Sequence, residues 1–204
     1  MATPLTFSRR DVNQEVEMHN DPLVINLPIH GWNVTKVFID GGSSLNVLLY
    51  EPYLRMGLTA EQMDSYTCTI YGFNGEVSRP KGETVLQVHV VPLVTNTRFC
   101  VVETPSPYNV IMGRPWVHRL RGTTSTYHQY LRFPTPIGEM EIKGDQQDAR
   151  LCNLDEVRLN EERAAAQQYE RKRRKANTKE VKDRAFLVPE APQFRSQAAP
   201  PLRG

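Results

Sequence analysis

Cysteine is scarce in this 204-residue sequence: Cys68, Cys100 and Cys152 are odd in number, widely spaced and outside any Cys-x-x-Cys pair. That pattern excludes a disulfide framework and a zinc knuckle, and it fits a reducing, intracellular setting, cytoplasmic or alternatively nuclear. Residues 1 to 20 hold no continuous apolar stretch of signal-peptide length, and the most apolar later run, Leu86 to Val94, is broken by His89 and Pro92. A membrane span is therefore not expected. No phosphate-cradling Gly loop followed by Lys occurs, and Ser43 and Ser44 fail the Gly-x-Ser-x-Gly spacing because Leu45 and Asn46 stand where the closing Gly would fall. His19, His30, His89, His118 and His128 show no metal-ligand spacing, so neither a metal nor a cofactor is expected.

What is present is enough for one domain and a tail. Apolar residues make up 39% and charged residues 24%, which allows a core, whereas 15 prolines imply that part of the chain is unpacked. Residues 151 to 204 hold 12 Lys/Arg against 8 Asp/Glu, leaving 13 against 15 for residues 1 to 150, so the basic character belongs to the end. The expected division is a polar linker over 1–18, a folded domain over 19–146, and a charged helix with a disordered linker over 147–204.

Short β-rich segments fill the middle of the chain. Leu23 to Ile29 and Val34 to Ile39 read as two strands around a Gly-containing turn, and the second runs directly into Asp40-Gly41-Gly42-Ser43-Ser44. A short helix is expected within Leu45 to Leu58, ending in a turn at Gly57. Thr67 to Tyr71 and Glu83 to Val91 flank Gly72-Phe73-Asn74-Gly75, whose Asn-Gly step predicts a hairpin. Further strands are predicted at Arg98 to Val102, Tyr108 to Gly113, Ser125 to Phe133 and Glu139 to Ile142. Arg114 to Leu120 reads as a short helix with Pro115 at its start, where a missing N–H is harmless. The sum is an all-β domain. Beyond it, Asn153 with Glu156 is a possible helix cap, and Leu154 to Lys175 is rich in helix formers.

An apolar strand delivering a carboxylate into a Gly-Gly turn is, alone, a turn signal. The joint order of several motifs is more specific: His19-Asn20-Asp21-Pro22-Leu23-Val24-Ile25, Phe38-Ile39-Asp40-Gly41-Gly42-Ser43-Ser44, Gly72-Phe73-Asn74-Gly75, Tyr108-Asn109-Val110-Ile111-Met112-Gly113-Arg114-Pro115, Thr124 to His128 and Lys143 to Gln146. In that order they resemble the protease region of Ty3/gypsy-type retrotransposon polyproteins, especially those of plants, over roughly 19–150. The resemblance implies a retropepsin-like closed barrel and an aspartic endopeptidase that processes a polyprotein, with Asp40 catalytic in a loop of Gly41, Gly42, Ser43 and Ser44. It implies a flap at Tyr71, Gly72, Phe73, Asn74 and Gly75 over an extended peptide, and support behind the loop from Ile111, Met112, Gly113 and Arg114. No second Asp-x-Gly with an apolar lead-in occurs, so two carboxylates meet only if two chains pair as a homodimer. Such a pair shares one proton, as aspartic proteases do in general.

Two departures matter. Gly41 stands where the family carries Ser or Thr, whose hydroxyl braces the paired loops; its absence makes a catalytically inactive retropepsin-like fold, a decayed element or binding module, the second reading. Ser44 replaces an acid that in retroviral relatives pairs with the Arg of the Gly-Arg element, so Arg114 needs another partner, and Ser43 can still bond locally to the Asp40 carboxylate. The run Arg171-Lys172-Arg173-Arg174-Lys175 reads as a solvated helix face or linker, with nucleic-acid contact or an import signal as the alternative.

Overall fold

The computed structural model describes residues 4–12, 19–65, 70–71, 77–78 and 80–185. Strands β1 (Val24–Ile29) and β2 (Trp32–Ile39) form a hairpin over His30 and Gly31, both at positive φ. Then follow β3 (Val47–Leu49), α1 (Tyr50–Arg55), β4 (Ile70–Tyr71), β5 (Val77–Ser78), β6 (Gly82–Val90), β7 (Leu93–Val102), β8 (Val110–Met112), α2 (Arg114–Arg119), β9 (Thr123–Ser125), β10 (Tyr130–Thr135), β11 (Gly138–Lys143) and α3 (Gln146–Ala185). The order β1-β2-β8-β3-β7-β6 closes on itself through Ile29 opposite Val88, giving a closed barrel. The closed all-β barrel expected from the sequence is the architecture found, with α1 and α2 as short helices and a long polar α3 after it.

Alternation explains the barrel. In β6 every second residue from Gly82 to Val90 is buried, and in β1 Ile25, Leu27 and Ile29 point inward, so their side chains meet Val37, Leu48, Phe99, Val110 and Trp116 in one core. A separate sheet, β11-β10-β9, adds Leu131 and Phe133 to that core.

Several expectations need correction. The strand read over Ser125 to Phe133 is two antiparallel strands, with Leu131 opposite Thr124. Ser125 Oγ turns the chain by accepting from His128 N at 3.3 Å and sharing a 2.8 Å hydrogen bond with His128 Nδ1, while Gln129 takes a positive φ. The long helix starts at Gln146 and not at an Asn153 cap: Asp145 Oδ1 accepts from Asp148 N at 3.0 Å, and Ala149 and Cys152 are buried against Val24 and Tyr108. Leu45 to Leu58 begins with a strand, β3, before its helix.

Residues 4–12, within the stretch expected to be a linker, are tied to the β9–β11 sheet. Arg132, only 9% exposed, donates to Asp11 Oδ1 at 2.7 Å, Glu141 Oε2 at 2.8 Å and the Thr6 carbonyl, and its guanidinium lies 4.9 Å from the Phe7 ring. Phe7 also stacks on His128 at 5.2 Å.

The compact unit runs to Asn160, and Glu161 onward forms a unit of its own. Arg171 to Lys175 are all exposed on α3. No helix among the described residues is long and apolar enough to cross a membrane. The disordered end expected after the helix lies, from residue 186, outside the described residues.

Candidate active site

Asp40 is the first residue past β2, and its position is set from behind. β2 runs parallel to β8 with Ile39 opposite Met112, and Asp40 N donates to Met112 O at 2.9 Å. The chain then turns tightly: Ser43 N donates to Asp40 O at 3.1 Å, and Gly42 N donates to Asp40 Oδ1 at 2.8 Å. A Cβ on Gly42 would stand 3.1 Å from that carboxylate oxygen, so glycine suits the turn. Asp40 is half-buried, whereas Gly41 and Gly42 are exposed, so the loop presents its carboxylate and backbone at the protein surface.

The supporting element crosses directly behind. Gly113 passes so close that a Cβ would lie 2.2 Å from Leu45 O and 2.8 Å from Ser43 O, and Arg114 N donates to Ser43 O at 2.9 Å. Met112 and Gly113 are buried and Ile111 is half-buried, so this segment and the Asp40 loop are brought together as the motif order anticipated. Arg114 itself is exposed; the contact it makes to the loop is through its main chain. The local bond open to Ser43 goes elsewhere than the Asp40 carboxylate: its hydroxyl donates to Leu45 O at 2.9 Å, closing a local turn. Ser44 is exposed.

Asn46 was missed by sequence reasoning and is central to this geometry. It is 6% exposed; Oδ1 accepts from Gly113 N at 3.0 Å, Nδ2 donates to Arg98 O at 3.0 Å, and its carbonyl accepts from Cys100 N at 2.9 Å. One amide thus ties the loop, β7 and β8 together, and a buried amide with every group paired is rigid. Its only trace in the sequence is a polar residue inside the apolar run Leu45 to Leu49.

A cleft of about 610 Å³ opens beside Asp40 and Gly41. Phe38 and Tyr108 form one wall, their rings stacked at 4.8 Å, and His19, Asp21, Tyr127 and Glu156 also line it. Asp21 N donates to His19 Nδ1 at 3.3 Å, and His19 Nε2 lies 3.2 Å from Tyr127 O. Arg150 Nε and Gln146 Nε2 approach Asp21 Oδ2 at 3.3 and 3.4 Å. Burial, followed by the charge of Glu156, pushes the Tyr108 phenol well above its ordinary value, so it stays a neutral donor. A hollow of similar size, about 620 Å³, lies between α1 and the 103–109 segment and contains no part of the Asp40 loop.

Of the flap residues, Tyr71 is described in backbone only: β4 pairs antiparallel with β5, with Tyr71 opposite Val77. Gly72, Phe73, Asn74 and Gly75 lie outside the described residues. Among the described residues no group of His, Cys, Asp and Glu is arranged to hold a metal ion.

No protein-family model and no curated protein sequence matches the chain. Solved structures do. The retroviral protease-like domain of Ddi1 from Leishmania major superposes with a TM-score of 0.50 at 16% identity, over 62% of this chain and 96% of that one. EIAV protease complexed with the inhibitor HBY-793 gives 0.44 at 19% identity, over 56% and 99%. A retropepsin-like aspartic protease from Rickettsia conorii gives 0.39 at 14%, over 57% and 81%. By its closed barrel and its likeness to the Leishmania domain, this chain has the retropepsin-like fold.

Proposed function

We propose that the protein is an aspartic endopeptidase that works as a homodimer, with the Asp40 carboxylates of two copies facing each other. The observation that carries this reading is the Asp40 loop itself: a half-buried carboxylate offered at an exposed Gly41–Gly42 turn, locked from behind by Gly113 and Asn46. At close range the two carboxylates share one proton, because both cannot ionise. The ionised oxygen takes a proton from water as that water attacks the scissile carbonyl, and the protonated partner donates to the carbonyl oxygen. Collapse of the tetrahedral intermediate returns a proton to the leaving amine. The pair's pKa values belong to the dyad and not to either side chain. An extended peptide is the substrate class; the polyprotein of a retrotransposon, the source suggested by the ordered motifs, is the specific substrate we assign.

A second reading, an inactive fold serving as a binding module, is favoured by one feature: no hydroxyl stands at Gly41 to brace the paired loops. Incubating the chain with a denatured protein at acidic pH separates the two. Pepstatin-sensitive cleavage that disappears in Asp40→Asn supports the enzyme, and absence of turnover by a chain shown to be dimeric by sedimentation rejects it.

A further inference from the structure

The cleft beside Asp40 has a polarity that the hydrolytic step does not use. One wall is aromatic, built from the stacked Phe38 and Tyr108 with Tyr127 also on the lining. Glu156 contributes a carboxylate next to the Tyr108 hydroxyl, and among the described residues no Lys or Arg lines the cleft. Asp21, on the same lining, already has Arg150 and Gln146 against it, whereas among the described lining residues no cation stands opposite Glu156. A substrate side chain lying along the two rings and ending at Glu156 is therefore best long, apolar along its stem and positive at its tip. Lysine and arginine have that form, since their methylenes cover apolar surface while the head seeks charge or an aromatic face.

Resting on the endopeptidase reading, we propose that this cleft selects peptides with a lysine or arginine side chain close to the scissile bond, and that Glu156 is the specificity-determining residue. Glu156 reaches the cleft from α3, outside the barrel. Its place is fixed because Ala149 and Cys152, two turns and one turn earlier, are buried against Val24 and Tyr108. A charge this exposed is screened by solvent and salt, so the expected selectivity is modest, about threefold at low ionic strength and smaller at high salt.

The test separates binding from turnover. Fluorescein-labelled peptides that differ only in lysine, norleucine or glutamate at one position, moved along either side of a central bond, are titrated against the full chain carrying Asp40→Asn. In one register the lysine peptide should bind about threefold more tightly than the norleucine peptide. Adding Glu156→Gln should collapse that ratio, and Glu156→Lys should turn it in favour of glutamate. Glu61→Gln, on an exposed turn outside the cleft, should leave the ratio as it was. Equal binding of lysine and norleucine peptides in every register, a preference that survives Glu156→Gln, or no binding of any peptide overturns the proposal. Cleavage of denatured protein by the unsubstituted chain decides the endopeptidase reading separately, so Asp40-dependent cleavage without a lysine preference removes this inference alone.

Discussion

Gly113 and Leu45 approach so closely that the space for one carbon atom is missing: a Cβ on Gly113 would sit 2.2 Å from the Leu45 carbonyl oxygen. Backbone surrounds the site on the loop side, so there is no side chain to swing away. Gly113→Ala should lower unfolding free energy by about 3 kcal/mol, the upper part of the range for overpacking. Urea unfolding of the two proteins measures it, and a loss near zero would mean that the crossing is looser than described.

Asp40→Asn should separate chemistry from folding. The amide oxygen can still accept from Gly42 N, which now donates to Asp40 Oδ1 at 2.8 Å, so thermal unfolding should change little. Peptide cleavage should fall by about 10²- to 10⁴-fold, the span associated with a positioned acid–base pair. If the proposed activity holds, the unsubstituted protein should show a rate maximum at acidic pH with decline on both sides, and a profile flat through neutrality would argue against a shared proton.

Gly41→Thr tests the missing brace. A Cβ at Gly41 meets nothing within 4 Å, so a hydroxyl-bearing side chain fits in this chain without displacement. Two symmetry-related hydrogen bonds, each worth about 1 kcal/mol net, would tighten the proposed dimer by about tenfold or more. Sedimentation equilibrium reads the change. If the dimer weakens, the paired loops do not meet at this position.

The N-terminal segment should come loose in acid. Hydrogen bonding from Arg132, then from the Ser8 backbone, holds the Asp11 carboxyl at about 2, below the roughly 3.9 of an unfolded aspartate. A lowered native value means that the tie is complete above about pH 4 and is lost as pH falls toward about 2. Amide NMR signals of Ser8 and Asp11 should report that transition, and Asp11→Asn should abolish it. Signals that stay native down to the bottom of this window would refute the tie.

Cys152 should report the docking of α3. Its thiol is fully buried and pushed up to about 11, chiefly by that burial, so alkylation near neutral pH should be slow in the native protein and fast in urea. A chain ending at Asp145 would uncover Val24 and Tyr108, and its thermal midpoint should drop. An equally stable truncated chain would show that α3 contributes nothing to the folded unit.

The β1–β2 hairpin, the Asp40 turn and the Gly113 element were legible because each depends on neighbours in sequence: period-two alternation, glycine at a tight turn, an apolar run before Gly-Arg. The reach of Asn46 to Arg98 and Gly113 was not, because its partners lie 52 and 67 residues away. The anchoring of residues 4–12 on Arg132 escaped for the same reason, the partners being 121 residues apart. Ser125 to Phe133 misled because its composition suits a strand throughout, while the turn inside it rests on side-chain hydrogen bonds that propensity does not register.

By itself the sequence determined which residues could alternate across a sheet, and that one Asp-x-Gly loop, not two, follows an apolar strand; both depend on local sterics and on the amount of apolar surface to bury. Only the tertiary structure decided what lies behind and beside that loop. Gly113 and Asn46 meet behind the Asp40 loop, and α3 reaches the cleft beside it, because barrel closure and core packing bring distant segments together, and no local rule encodes which ones.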